Sequence, residues 1–140
     1  MDFTIQTEGN YDLVNLTSKI EEEIVKSKIE KGVAIIFAKH TTIGLTLMEW
    51  EDGTKQDLVE TFEKIAPQKG NWHHEKWNDG NGAAHVKSAL FPPSLSIPVK
   101  NGKLDLGVWQ NIVLIDFDVK PRKREVVIRI IPTKGKKLSV

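Results

Sequence analysis

The sequence predicts an α+β fold, one compact domain over residues 1–140 with mixed or antiparallel β-sheets and two helices. Length and composition point to one domain: 140 residues with 39% hydrophobic and 28% charged residues suit a single self-sufficient core. Apolar runs of strand character and two stretches of helical spacing are mixed along the chain. The order of these elements is not the repeating strand–helix–strand of a parallel sheet.

The elements follow in order. "FTIQT" (3–7) and "YDLVNLT" (11–17) read as strands separated by the turn residues Glu8-Gly9-Asn10. The period then lengthens: Leu16, Ile20 and Ile24 are four apart, Ser18 and Glu21 have the spacing of a capping box, and Gly32 is a plausible stop. "VAIIFAK" is apolar on both faces, as a central strand must be, and "IGLTLME" alternates more cleanly. Leu58, Phe62 and Ile65 share a helical stripe from about Thr54 to Ile65, ended by Pro67. A long polar loop is expected from Gln68 to Gly82. Its length and its tryptophans argue for function rather than disorder. The last third reads as "SLSIPV", an Asn101-Gly102 hairpin turn, "KLDLGVWQNIVLIDF" and "REVVIRII", with a frayed tail "TKGKKLSV".

Composition excludes several classes. A net charge of +1 shows no acidic or basic excess that would advertise nucleic acid or membrane. Cysteine is absent, so His, Asp and Glu are the strong metal ligands left. The opening "MDFTIQTEGNYD" has no signal-peptide pattern, and the longest apolar run, "VAIIFA", is too short to cross a bilayer. A cytoplasmic protein is expected.

Three of the four histidines lie in "NWHHEKWNDGNGAAH" (71–85), and the fourth, His40, directly follows the central strand. Three neutral imidazoles with one open position would make a catalytic-type zinc site. The other reading is a polar loop that happens to carry imidazoles. In an extended segment His73 and His74 would point opposite ways, so one alone would bind. Strand phase places Ile43, Leu45, Leu47 and Glu49 on one face. Glu49 then either ends a buried row, where burial raises a carboxyl pKa, or turns into solvent beyond Met48. The basic pieces "KPRKR" and "KGKK" lack interleaved aromatics. Solvated charge is the plainer reading there, although the planar forks of Arg122 and Arg124 would suit a phosphate ester.

Taken together, "HTTIGLTLMEWED", "QDL" (56–58), "GNWHHE", "AHVKSAL", "IPVKNGKLDLGVWQNIVLIDFD" and "PRKREV" resemble the YjbQ family over nearly the whole chain. Its members are described as secondary thiamine-phosphate synthases. The resemblance implies metal ligation by His40, His74 and His85, with zinc the foremost divalent metal. It also implies functional polar positions at Glu49, Asp57, Ser88 and Gln110, with Glu49 as proton carrier and Ser88 and Gln110 as hydrogen-bonding groups. A homotrimer, a small phosphorylated substrate, and the joining of a pyrimidine diphosphate to a thiazole phosphate follow from it too. A metal-dependent hydrolase and a non-catalytic metal- or ligand-binding trimer are the alternatives. One departure from the pattern is Phe91-Pro92-Pro93, where the family usually has a glycine turn.

Overall fold

The computed structural model of the chain describes residues 1–74 and 79–134. Glu75 and the tail beyond Lys134 therefore fall outside the described residues. The elements run β1 (Asp2–Thr7), β2 (Asp12–Asn15), α1 (Thr17–Ser27), β3 (Lys31–Ala38), β4 (Ile43–Met48), α2 (Asp52–Ile65), α3 (Gly82–Leu90), β5 (Ser94–Lys100), β6 (Lys103–Leu104), β7 (Asn111–Asp116) and β8 (Arg122–Pro132). The strands form a five-stranded antiparallel sheet, β1-β8-β3-β5-β6, and a three-stranded antiparallel sheet, β2-β7-β4. The α+β reading of the sequence is the architecture found.

Three layers result. Alternate residues of β3 and β8, among them Ala34, Ile36, Val126 and Ile128, meet Leu45, Ile112 and Leu114 of the small sheet, with Ile20 and Ile24 of α1 closing one end. The other face of β7 supplies Val113 and Ile115 to a second core with Phe62 of α2 and Ala84 of α3. This is why "NIVLID" is apolar at successive positions: β7 is covered on both faces. Among the described residues no helix is long and apolar enough to cross a membrane.

Four expectations need correction. The chain has a third helix, α3, which the sequence reading left unassigned beyond Gly82. No capping box forms on α1: its N-cap is Leu16 without a side-chain cap, and Glu21 instead accepts the Leu104 N–H at 3.2 Å. Helix α1 ends through left-handed Lys28 rather than at Gly32. Gly32 lies inside β3 so close to β8 that a Cβ there would sit 2.3 Å from the Ile131 carbonyl oxygen. Finally, "KLDLGVWQNIVLIDF" is not one strand. β6 belongs to the large sheet and β7 to the small one, and residues 105–110 carry the chain between them.

Two local devices brace the region that follows. Gly9, Asn10 and Tyr11 all have positive φ, and the Asn10 and Tyr11 N–H groups donate to the carbonyls of Asp118 and Asp116. A Cβ on Gly9 would come within 2.9 Å of backbone atoms of Asp118 and Lys120, so only glycine fits there. On α3, the amine of Lys87 is 1% exposed, lies 2.5 Å from the Tyr11 hydroxyl and faces Glu63 of α2. Burial lowers the Lys87 pKa, and Glu63 opposes that shift. Lys87 thus ties α3 to α2 and to the strained turn.

Candidate functional site

The segment Lys39–Thr42 leaves the large sheet at Ala38 and enters the small one at Ile43. It forms one wall of an open cavity of about 470 Å³. Helix α3 brings His85 and its N-cap Asn81 to the opposite wall, and the start of β8 contributes Arg122, Lys123 and Arg124. Phe91-Pro92-Pro93 has a place in this arrangement. The Pro93 carbonyl accepts the Ala38 N–H at 2.8 Å, pinning the end of β3 where the wall begins.

His74 and His85 are in ring contact, with centroids 4.4 Å apart and planes tilted by 37°. His74 is half-buried and its Nδ1 has no hydrogen-bond partner among the described residues; the buried Oδ1 of Asn81 shares that state. His85 donates one ring N–H to the backbone carbonyl of Thr41, which leaves its other nitrogen free with a lone pair. His73 is exposed. The two adjacent histidines lie in a helical turn, not in the extended segment whose alternation would point them opposite ways.

His40 sits differently. Its Nε2 accepts the Glu125 N–H at 2.7 Å, so in this arrangement its lone pair is committed and Nδ1 carries the proton. Among the described residues no three His, Asp or Glu side chains converge on one metal position. Of the three expected histidines, His74 and His85 are in ring contact, and His40 and His85 line the same cavity. The chemistry of the pair is compatible with a metal, because a buried imidazole nitrogen without a partner among the described residues stands beside a second imidazole, and two nitrogens are short of a full ligand set.

Behind the cavity lies a buried ionic network. Arg124, 2% exposed, grips Asp116 with both Nε and Nη2 at 2.7 Å, and its Nη2 also donates to Thr42 Oγ1 at 2.9 Å. Asp118 accepts from Thr42 at 3.0 Å and from Arg122 Nε at 3.0 Å. Burial alone would raise the Asp118 pKa, but donors from Val119, Thr42 and Arg122 outweigh it and hold the carboxyl below its usual range. The His40 pKa is lowered by burial and then by Arg124. The His85 pKa is lowered by burial and then by His74. Both imidazoles are thereby held neutral, the form a metal requires.

This has a measurable consequence in metal-free protein. As pH falls below the ordinary histidine value of 6.5, the unfolded chain takes up protons before His40 and His85 do in the fold. Stability should be full above that pH and lost as pH drops through the lower folded values. Thermal melts from pH 8 to pH 5 should show the loss, and His85→Gln should reduce it. A slope unchanged in the variant contradicts this assignment.

The other positions expected from the sequence are not gathered here. Ser88 donates to the Ile43 carbonyl at 2.6 Å, so it pins α3 to β4. Asp57 is exposed on α2, with its backbone carbonyl bonded to Thr61. Glu49 is exposed just past the end of β4, the second of the two positions that its strand phase allowed. Register explains the separation. Ile43 pairs with Asp116 at the cavity end and Met48 with Asn111 at the other, roughly 17 Å along the strand. Gln110 lies at the Glu49 end, where its Oε1 accepts the Gly107 N–H at 2.8 Å. Arg124 turns inward to Asp116 and Arg122 gives its Nε to Asp118, which leaves Lys123, Lys39 and the rest of the Arg122 fork as the cationic groups lining the cavity. Sequence reasoning missed Thr42, Asn81, Asp116 and Asp118. The signal for the last two was present: two aspartates at the end of an apolar strand need a buried cation, and "RKR" supplies it.

A model of the family described as UPF0047 protein YjbQ-like matches residues 1–133. A UPF0047 protein of Methanocaldococcus jannaschii is 38% identical over 133 residues, covering 94% of each chain. The UPF0047 protein YugU of Bacillus subtilis is 35% identical over 129 residues, covering 90% of this chain and 94% of its own. Among solved structures, a YbjQ-like protein of Sulfolobus solfataricus superposes with a TM-score of 0.88 at 28% identity, covering 95% of this chain and 96% of its own. A YjbQ/UPF0047 protein of Clostridium acetobutylicum gives 0.85 at 31% identity, covering 94% and 99%.

Proposed function

This chain belongs to the UPF0047, YjbQ-like family, and we propose that it is a divalent-metal-dependent enzyme acting on a small phosphorylated substrate. The observation that carries this reading is the Nδ1 of His74, without a partner among the described residues, beside the His85 ring. His74 and His85 would hold the ion, and His40 would join them in exchange for its bond to Glu125. Imidazole donors without thiolate suit zinc first. Bound there, the ion would supply Lewis-acid polarisation of a substrate oxygen.

The chain's own residues account for the rest. Lys123, Lys39 and Arg122, whose Nε is paired with Asp118, line the cavity and would bind a phosphate or diphosphate group. Asn81 offers a buried amide oxygen without a partner among the described residues, suited to a substrate N–H or hydroxyl. Asp118 and Arg124 orient Thr42 and hold the wall rigid. Transfer of the thiamine-phosphate synthase kind, in a cytoplasmic homotrimer, is the reaction proposed. Hydrolysis of a phosphate ester is the second reading, because the cavity is open to water.

The test is turnover by zinc-loaded protein given a pyrimidine diphosphate and a thiazole phosphate. Pyrophosphate release that requires both substrates is expected, and it should disappear in His85→Ala. Orthophosphate release from simple phosphomonoesters would favour the hydrolase. Neither product above the His85→Ala background would reduce the protein to a binder.

A further inference from the structure

His74 and His85 come from different segments, and one polar hub joins both. Glu63, in the last turn of α2, accepts the Gln68 N–H at 3.2 and 3.3 Å, which fixes the start of the segment leading to His74. Further along, Trp72 Nε1 donates to the Pro67 carbonyl at 3.1 Å and folds that segment back on itself just before the histidines. From α3, Lys87 enters the same hub two residues after His85. Its amine lies 2.5 Å from the Tyr11 hydroxyl, 3.7 Å from Glu63 Oε1 and 4.5 Å from the centre of the Tyr11 ring. The Tyr11 hydroxyl in turn donates to Glu63. The strained turn is the third arm: Gln68 Nε2 donates to Asn10 Oδ1 at 3.1 Å, and the Asn10 and Tyr11 N–H groups reach the carbonyls of Asp118 and Asp116 behind the cavity.

Two features separate this hub from an ordinary brace. Tyr11 holds φ at +64°, a conformation that is costly for a bulky residue and persists only where its surroundings impose it. The buried first turn of α3 is Gly82, Ala83 and Ala84, small residues that interdigitate little and so fix the register of the helix weakly. Directional bonds to a buried charge have one good arrangement and supply what that packing lacks.

We propose that Lys87, Tyr11 and Glu63 are positioning residues. They hold α3 and the segment 67–74 in the register that brings the His74 and His85 rings to a centroid separation of 4.4 Å. None of the three lines the histidine cavity, so they act through the imidazoles and not on a ligand. The consequence for a metal rests on the enzymatic reading above; the consequence for the two rings does not.

The chain has four histidines, few enough for their ring protons to be assigned by substitution in metal-free, histidine-labelled protein. Wild type should show a nuclear Overhauser effect between the His74 and His85 rings. Lys87→Met and Tyr11→Phe should each lose most of it while the methyl shifts of the first core stay in place. Tyr11→Phe removes only a hydroxyl, so it decides the matter if Lys87→Met does not fold. Ile24→Val, in the first core, controls for lost stability alone and should keep the effect. Cobalt(II) titrations of the same proteins should show affinity at least about tenfold weaker in the two hub variants, with an altered visible spectrum. An undiminished ring effect in Tyr11→Phe, an equal loss in Ile24→Val, or no effect in wild type would each overturn the proposal. Rings displaced in the hub variants, with no cobalt bound even by wild type, would leave the positioning role standing and remove the metal reading. Cobalt bound alike by all, with the rings unmoved, would do the reverse.

Discussion

His74→Ala and His85→Ala should each weaken zinc binding by at least about a hundredfold, while His73→Ala leaves it unchanged. The basis is geometric. His74 and His85 are in ring contact, one with an unpartnered buried nitrogen and the other with its second nitrogen fixed by the Thr41 carbonyl. His73 is exposed one residue away and shares none of this. His40→Ala should give an intermediate loss, because His40 must first release the Glu125 N–H. Competition titration against a chromophoric chelator reads all four variants. Loss confined to His73→Ala, or to none of the four, would return the segment to a plain polar loop.

Arg124→Met should cost about 3–5 kcal/mol of folding stability, the usual scale for stranding one partner of a buried ion pair. Asp116 is fully buried, and without Arg124 it keeps only the Thr7 hydroxyl, at 2.5 Å, and the Asp118 N–H, at 2.9 Å, as donors. Thr42 would lose its donor in the same step. Urea unfolding should show the midpoint falling with the slope unchanged. Arg122→Met is the control: its side chain is 38% exposed, so it should cost far less. Equal small effects in the two variants would mean that water replaces the Arg124 bonds.

What the sequence revealed and what it hid follow from the physics of each element. β3 and β4 were legible because alternation and burial coincide in them. α3 was not, because its buried first-turn residues, Gly82, Ala83 and Ala84, are not the large apolar residues that mark a helical stripe. The pairing of His74 with His85 depends on that helix. The strand phase of Glu49 was read from three apolar neighbours, but the strand stops at Met48, and phase says nothing beyond an end. Arg124 shows the same limit, since a basic run in a turn and a buried fork look alike until the register places Arg124 beside Asp116. Spacing along one chain cannot indicate which end of a sheet a residue occupies; pairing register does.

The most direct measurement of the central claim is anomalous diffraction at the zinc edge from crystals grown with zinc. One strong peak should lie within bonding reach of ring nitrogens of both His74 and His85, about 2.0–2.1 Å from each. A peak on His73 or elsewhere on the surface, or none at the cavity, would contradict it.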